Sequence, residues 1–273
     1  MREDFIAFKN FYHDKICHIP SDSFYYQAIN HKFVHSIEVL HFGQKILTQT
    51  PELKHQPPSF KRDAERALLF HDVGRFEENL RRYNASIKNN PTPVTKNYYD
   101  HCLLGYNMLK NNPHYNNKKI LFAIRYHGKR IENIHTSVAW KKIEELPETE
   151  AIKNIFYLVR DADKLANLRS IKTDNHLTKD IFYKQLSNEA LHAPISSAVK
   201  KQFMAGKTVS YASLYSFSDR ILMILSWIYD LHFQTSKKIF KQEKYADFLI
   251  AQLAQYHHHP DDINAIKKRI KQI

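Results

Sequence analysis

The chain has 273 residues, 43% of them hydrophobic, and 41 Lys and Arg against 28 Asp and Glu, for a formal net charge of +13. That apolar content is ample for one large core or two small ones. No apolar run nears the roughly 20 residues of a membrane span, and two cysteines, Cys17 and Cys102, make no disulfide framework.

The N-terminus, MREDFIAFKNFYHDK, is charged and amphipathic. It lacks the apolar stretch and small-residue cleavage site of a secretory signal. With both cysteines read as packing residues, this leads us to expect a reducing, cytoplasmic setting and no membrane partner. Helical periodicity dominates and no alternating strand pattern interrupts it, so an all-α fold is expected. Helices are predicted over about 3–17, 24–48, 60–72, 97–111, 117–127, 136–145, 149–172, 178–190, 195–204, 218–235, 237–255 and 261–271. The breaks are Pro- or Asn-rich: TPELKHQPPS, NNPTP, NNPH, ELPE, HAP and HHHPDD. With five glycines and no stretch rich in Gly, Ser or Pro, nothing reads as a linker. Residues 1–175 are expected to form a core and 176–273 a helical C-terminal extension packed on the same body.

Five of these segments carry His or Asp toward an apolar face. His35, Val39, Phe42 and Ile46 share one stripe of the second helix. In LLFHDVGRF, His71 shares a face with Ala64, Ala67 and Leu68, and Asp72 follows it. Gly74 reads as the turn that ends this helix, with Arg75 just past it. His101 lies with Leu104, Gly105 and Met108; a mid-helix glycine costs about 1 kcal/mol against alanine, so it implies that something comes close. His127 ends ILFAIRYH. Asp161 falls on a stripe with Leu158, Leu165 and Leu168, while Asp163 falls on the opposite side of its helix and reads as structural. A lone histidine on such a face is usually a hydrogen-bonded core residue. Several together can satisfy one another through one or two metal ions. Imidazole and carboxylate suit Mn, Fe, Co, Ni or Zn, and no thiolate is on offer in this reading.

Read in order, His35, His71-Asp72 and Asp161 resemble the H…HD…D signature of the HD-domain metal-dependent phosphohydrolase superfamily. His101 and His127 resemble the extra ligands of its dinuclear members. The stretches HDVGR, DHCLLGYNML and RDADKL are similar to those of a group of uncharacterised bacterial HD proteins, over about residues 24–172. The resemblance implies packed antiparallel helices around a metal centre. It implies His35, His71, Asp72 and Asp161 on one divalent transition metal and Asp72, His101 and His127 on a second. It further implies hydrolysis of a phosphomonoester or nucleotide by metal-activated water. Arg75, one turn past the motif, and Lys164, at i+3 from Asp161, would bind the phosphate and join Asp72 in the catalytic set.

The stretch RYHGKRIENIHT carries one histidine and lacks the paired histidine and Gly-Tyr-Pro signature of the cyclic-dinucleotide phosphodiesterases. Two other readings stay open. The same ligands serve di-iron oxygenases of this fold, such as those resembling myo-inositol oxygenase, on a small anionic substrate. The net charge also suits a metal-stabilised, non-enzymatic polyanion-binding module, although the basic residues are scattered and no nucleic-acid-binding motif accompanies them. In the C-terminal third, Asp219, Met223, Ser226 and Asp230 form a polar stripe, either a solvent face or a polar floor under the site. AGKTVS reads as a loop and not a phosphate-binding loop. His257–His259 read as solvated or locally bonded.

Overall fold

The structure is a computed structural model that describes residues 1–87, 96–173, 186–257 and 259–273. The described residues form helices and connecting turns, with no strand among them. None of these helices is long and apolar enough to cross a membrane. The chain divides into two compact units, Met1–Asp163 and Lys164–Ile273.

The first unit holds helices α1 (Arg2–Ile16), α2 (Phe24–Gln49), α3 (Pro51–Lys54), α4 (Pro58–Phe70), α5 (Gly74–Ile87), α6 (His101–Leu109), α7 (Lys118–Tyr126), α8 (Ile131–His135) and α9 (Val138–Glu144), and most of α10 (Thr149–Thr173). α1 has Glu3 and Asp4 in its first turn and His13 and Lys15 in its last, which complements the helix dipole. Its Phe8 is fully buried, stacked 5.3 Å from Phe33 of α2 and within 5.6 Å of Phe70 and Phe76. This aromatic knot ties α1, α2, α4 and α5 together next to the turn between Phe70 and Gly74. α2 buries His35, Val39, Phe42 and Ile46, the expected stripe. Gly43 lies on the same side, where a Cβ would overlap the Leu68 side chain. A side chain at 43 would therefore have to displace Leu68 between α2 and α4.

α5 escapes the hydrophobic pattern. Only Gly74, Phe76 and Glu78 are buried among its fourteen residues. It is held instead by ion pairs at helical spacing, Glu77–Arg81 at 2.7 Å and Glu78–Arg82 at 2.9 Å. Gly74 opens this helix, so the turn expected there lies just before it. The predicted helix over 97–111 is a short 3-10 turn, Lys96–Tyr99, followed by α6, because Asp100 caps α6 by accepting from Leu103 N at 3.1 Å.

The second unit holds the end of α10, then α11 (Asn188–His192), α12 (Ser197–Met204), α13 (Phe217–Leu225), α14 (Gln234–Gln242), α15 (Tyr245–Tyr256) and α16 (Pro260–Lys271). Of the helix predicted over 178–190, the part through 185 lies outside the described residues. AGKTVS is the loop after α12. The predicted helix 237–255 is broken at Lys244, which adopts the left-handed conformation at φ 52°. Lys244 N donates to Lys241 O at 3.0 Å, and Tyr245 packs on Phe240 with ring centroids 5.8 Å apart. That hydrophobic contact across the turn anchors a helix end that usually takes glycine.

The stripe at Asp219 is not a solvent face. Asp219, Met223 and Ser226 are buried. Asp219 completes a capping box with Ser216 and accepts from Ser196 N at 2.7 Å and Tyr215 N at 3.0 Å. His257 is also buried rather than solvated: Nδ1 accepts from Ile195 N at 3.3 Å and Nε2 faces Asp262 at 2.9 Å. His258 lies outside the described residues.

Gly43→Ala is expected to lower unfolding free energy by about 1–3 kcal/mol through overpacking against Leu68. Combined with Leu68→Val, the loss should be less than additive, as read by chemical denaturation of the four members of the cycle.

Candidate metal centre

His71 and Asp72 occupy the corner between α4 and α5, where Val73 N bonds Phe70 O at 3.1 Å and Arg75 N bonds Asp72 O at 2.8 Å. The corner can sit against α6 because no side chain intervenes. A Cβ on Gly74 would overlap the carbonyl oxygen of His101 and crowd the amide of Gly105, and one on Gly105 would stand 3.3 Å from the Gly74 nitrogen. The glycine that interrupts the apolar face of α6 is thus the seat for the α5 backbone.

Two histidines are oriented through their Nδ1 edge. His71 Nδ1 lies 2.9 Å from Leu68 O, and His127 Nδ1 lies 3.0 Å from Ile124 O. Both carbonyls are three residues back in the preceding helix. As Nδ1–H donors, the two rings turn the Nε2 lone pair inward, the usual arrangement behind a metal-ligating imidazole. His35, His71, His127 and His101 follow one another at ring-centroid separations of 5.5, 5.2 and 5.5 Å.

Asp72 sits among these rings, 4% exposed. Its Oδ1 is 3.4 Å from His127 Nε2 and 3.5 Å from His101 Nε2. Its Oδ2 is 3.7 Å from His71 Nε2 and 3.0 Å from the Lys32 ammonium. His35 Nε2 lies 2.9 Å from Asp163 Oδ1, and His71 Nε2 lies 3.7 Å from the same oxygen. Asp72 Oδ1 and His71 Nε2 are buried and make no hydrogen bond. Two buried lone-pair donors facing the same cluster are what a cation would satisfy. Ligand atoms of His35, His71 and Asp163, and of His71, Asp72 and His127, each converge within 4.8 Å, so both clusters could hold a metal ion.

The charge states of Asp72, Asp163 and His35 fit. Burial alone would raise the Asp72 carboxyl, but Lys32 and His71 hold it well below the usual carboxylate range. Burial would likewise raise Asp163, but His35, bonded to it, and His71 close by keep it well below that range. Burial, with Lys32 nearby, pushes His35 down to about 4, leaving a neutral imidazole at neutral pH. His127 runs the other way. Burial would lower it, but the Cys102 thiol and Asp72 raise it well above the ordinary histidine value.

Of the expected ligands, His35, His71, Asp72, His101 and His127 come together, and Asp161 does not. Asp163 takes the place assigned to Asp161. Asp161 is fully buried and interacts within the protein, but its carboxylate is not in the converging clusters. The reason is that α10 buries apolar residues on both of these sides. Phe156, Val159 and Ala166 beside Asp163 are as buried as Leu158, Leu165 and Leu168 beside Asp161, so a leucine stripe does not pick the face.

The basic residues also sort themselves. Arg75 stands at the site, with Nε 3.6 Å from Asp72 Oδ1 and Nη1 2.8 Å from Glu78. Lys164 pairs with Asp230 at 3.0 Å. Lys32, which the sequence reading passed over, is one turn before His35 on the same face, a spacing that could have flagged it. Cys102 is no simple packing residue: Sγ lies 3.3 Å from His101 Nε2 and 3.8 Å from His127 Nδ1. Its ligand atom converges with theirs within 4.8 Å.

Asp163→Asn should lower the metal content of the purified protein, measured by elemental analysis, with only a modest change in stability. Asp161→Asn should leave metal content near the native level and lower the melting temperature.

The family model of the HD domain matches residues 33–168, a span that holds His35, the His71–Asp72 corner, His101, His127 and Asp163. No curated protein and no solved structure matches the chain. With His35, His71, Asp72, His101, His127 and Asp163 gathered around one buried corner, residues 33–168 form an HD domain, the domain of a superfamily of metal-dependent phosphohydrolases.

Proposed function

We propose that the protein is a metal-dependent phosphohydrolase that cleaves a phosphomonoester or a nucleotide at a dinuclear centre. The observation that carries this reading is the division of the site into a sealed floor and a cationic mouth. The side chains of His35, His71, Asp72 and His127 are at most 4% exposed. Lys32, Arg75, Asp163 and His101 keep 22%, 32%, 24% and 17% of theirs. An anion approaching the floor meets the ammonium of Lys32 and the guanidinium of Arg75 first.

In this reading His35, His71, Asp163 and Asp72 would hold one ion, and His101, His127 and Asp72 would hold the other. Divalent metal bound there supplies a water acidic enough to attack near neutral pH and a Lewis acid for the phosphoryl oxygens. The chain supplies the rest. Asp72, kept anionic, belongs to both halves and fixes their relation. Glu78 holds Arg75 Nη1 at 2.8 Å, with Nε on the side of Asp72 at 3.6 Å. Lys32 offers a compact ammonium paired with Asp72 at 3.0 Å, and a phosphate can draw it outward. Lys164 pairs with Asp230, while Lys32 and Arg75 stand against Asp72 and are the phosphate-binding cations of this reading.

Metal-loaded protein is expected to release inorganic phosphate from members of a nucleotide and sugar-phosphate panel, and chelation should abolish it. Lys32→Met should raise KM about 10–100-fold, as befits loss of a charge-assisted contact, with a smaller effect on kcat. Oxygen uptake that depends on iron, without phosphate release, would replace this reading with the oxygenase one.

A further inference from the structure

The half of the centre built on His101 and His127 has a fourth donor that the phosphohydrolase reading does not use. Cys102 is 2% exposed and follows His101 in the first turn of α6. Its Sγ stands 3.3 Å from His101 Nε2, while Asp72 Oδ1 stands 3.5 Å from that same nitrogen and 3.4 Å from His127 Nε2. Ligand bonds of about 2.0–2.3 Å at a tetrahedral ion place neighbouring donor atoms roughly 3.3–3.6 Å apart. The sulfur and the carboxylate oxygen flank His101 Nε2 at that spacing.

The surroundings keep the sulfur there. A Cβ on residue 128 would crowd Cys102 Sγ at 3.3 Å, so Gly128 leaves the sulfur its room. The turn that carries Gly128 is fixed by Arg160, buried, whose Nη1 donates to His127 O at 2.6 Å and Lys129 O at 2.5 Å. His127 Nδ1, 3.8 Å from the sulfur, is also 3.0 Å from Ile124 O, which keeps its Nε2 on the side of Asp72.

We propose that Cys102 is a thiolate ligand to the ion held by His101, His127 and Asp72. The inference rests on the metal-centre reading above and goes beyond it, because it makes the two halves chemically unlike. On binding, the S–H bond breaks, the proton leaves to solvent, and a sulfur lone pair forms the bond to the metal. One half then offers imidazole and carboxylate alone. The other adds a soft thiolate, which favours zinc, iron or cobalt over manganese or magnesium.

Cobalt(II) tests this without reference to turnover. Protein stripped by chelation and reloaded with Co²⁺ should show a near-ultraviolet sulfur-to-cobalt charge-transfer band. The chain has two cysteines, and Cys17 is exposed. The band should persist in Cys17→Ser and vanish in Cys102→Ser. In Cys102→Ser the affinity for one of the bound ions should fall on the order of 100-fold, at or above the usual loss from outer-shell changes. If Cys102→Ser fails to fold, the band in Cys17→Ser still assigns the sulfur. Cobalt bound without a band, or a band lost in Cys17→Ser, overturns the role of Cys102 and leaves the centre standing. No cobalt binding in the native protein overturns both.

Discussion

A single carboxylate, buried at the corner between two helices, sets the terms for the first unit. Placing Asp72 where its side chain is 4% exposed is costly unless charge meets it from several sides. The fold answers with three imidazoles, an ammonium and a guanidinium, drawn from α2, the corner itself, α5, α6 and the end of α7. Each of those elements has to approach the corner closely. The absence of side chains at Gly43, Gly74 and Gly105 and the aromatic knot around Phe8 are packing solutions to that electrostatic demand. Asp72 Oδ1 and His71 Nε2, buried without a hydrogen bond, mark where the protein alone does not meet it.

The polar support of the site is built from backbone as much as from side chains. Carbonyls of Leu68 and Ile124 orient two rings, and Asp100 caps the helix that starts with His101. Arg160 clamps the turn after His127. Each device uses the end of a helix, where unpaired backbone groups are available. A centre made at helix ends therefore gets its second layer of hydrogen bonds from groups that need partners anyway.

Much of the site was legible in the sequence, because a histidine on an apolar stripe is conspicuous. His35, His71, His101 and His127 stood out in that way, and Gly105 announced a close neighbour. What failed did so for definite reasons. On α10 both faces are apolar, so periodicity could not separate Asp161 from Asp163. α5 is stabilised by Glu–Arg pairs and buries almost nothing, so a hydrophobic period could not find it. The helix break at Lys244 has no glycine, and its anchor is a contact between Phe240 and Tyr245 that only folding reveals. Cys102 and Lys32 looked ordinary because their meaning lies in neighbours distant along the chain. The two-cysteine count spoke against disulfides and said nothing about a thiol beside two imidazoles.

The joined partners His35 and Asp163 stand 128 residues apart. A chain made from its N-terminus carries His35 and the His71–Asp72 pair long before Asp163 exists. A nascent chain thus holds only a partial ligand set, and the last carboxylate arrives when nearly all of the first unit has been synthesised. Closing so long a loop is an entropic step that must precede the contacts it allows. Tight metal capture is accordingly tied to completed topology. An ion that binds the finished site and not the open chain holds that topology shut by mass action.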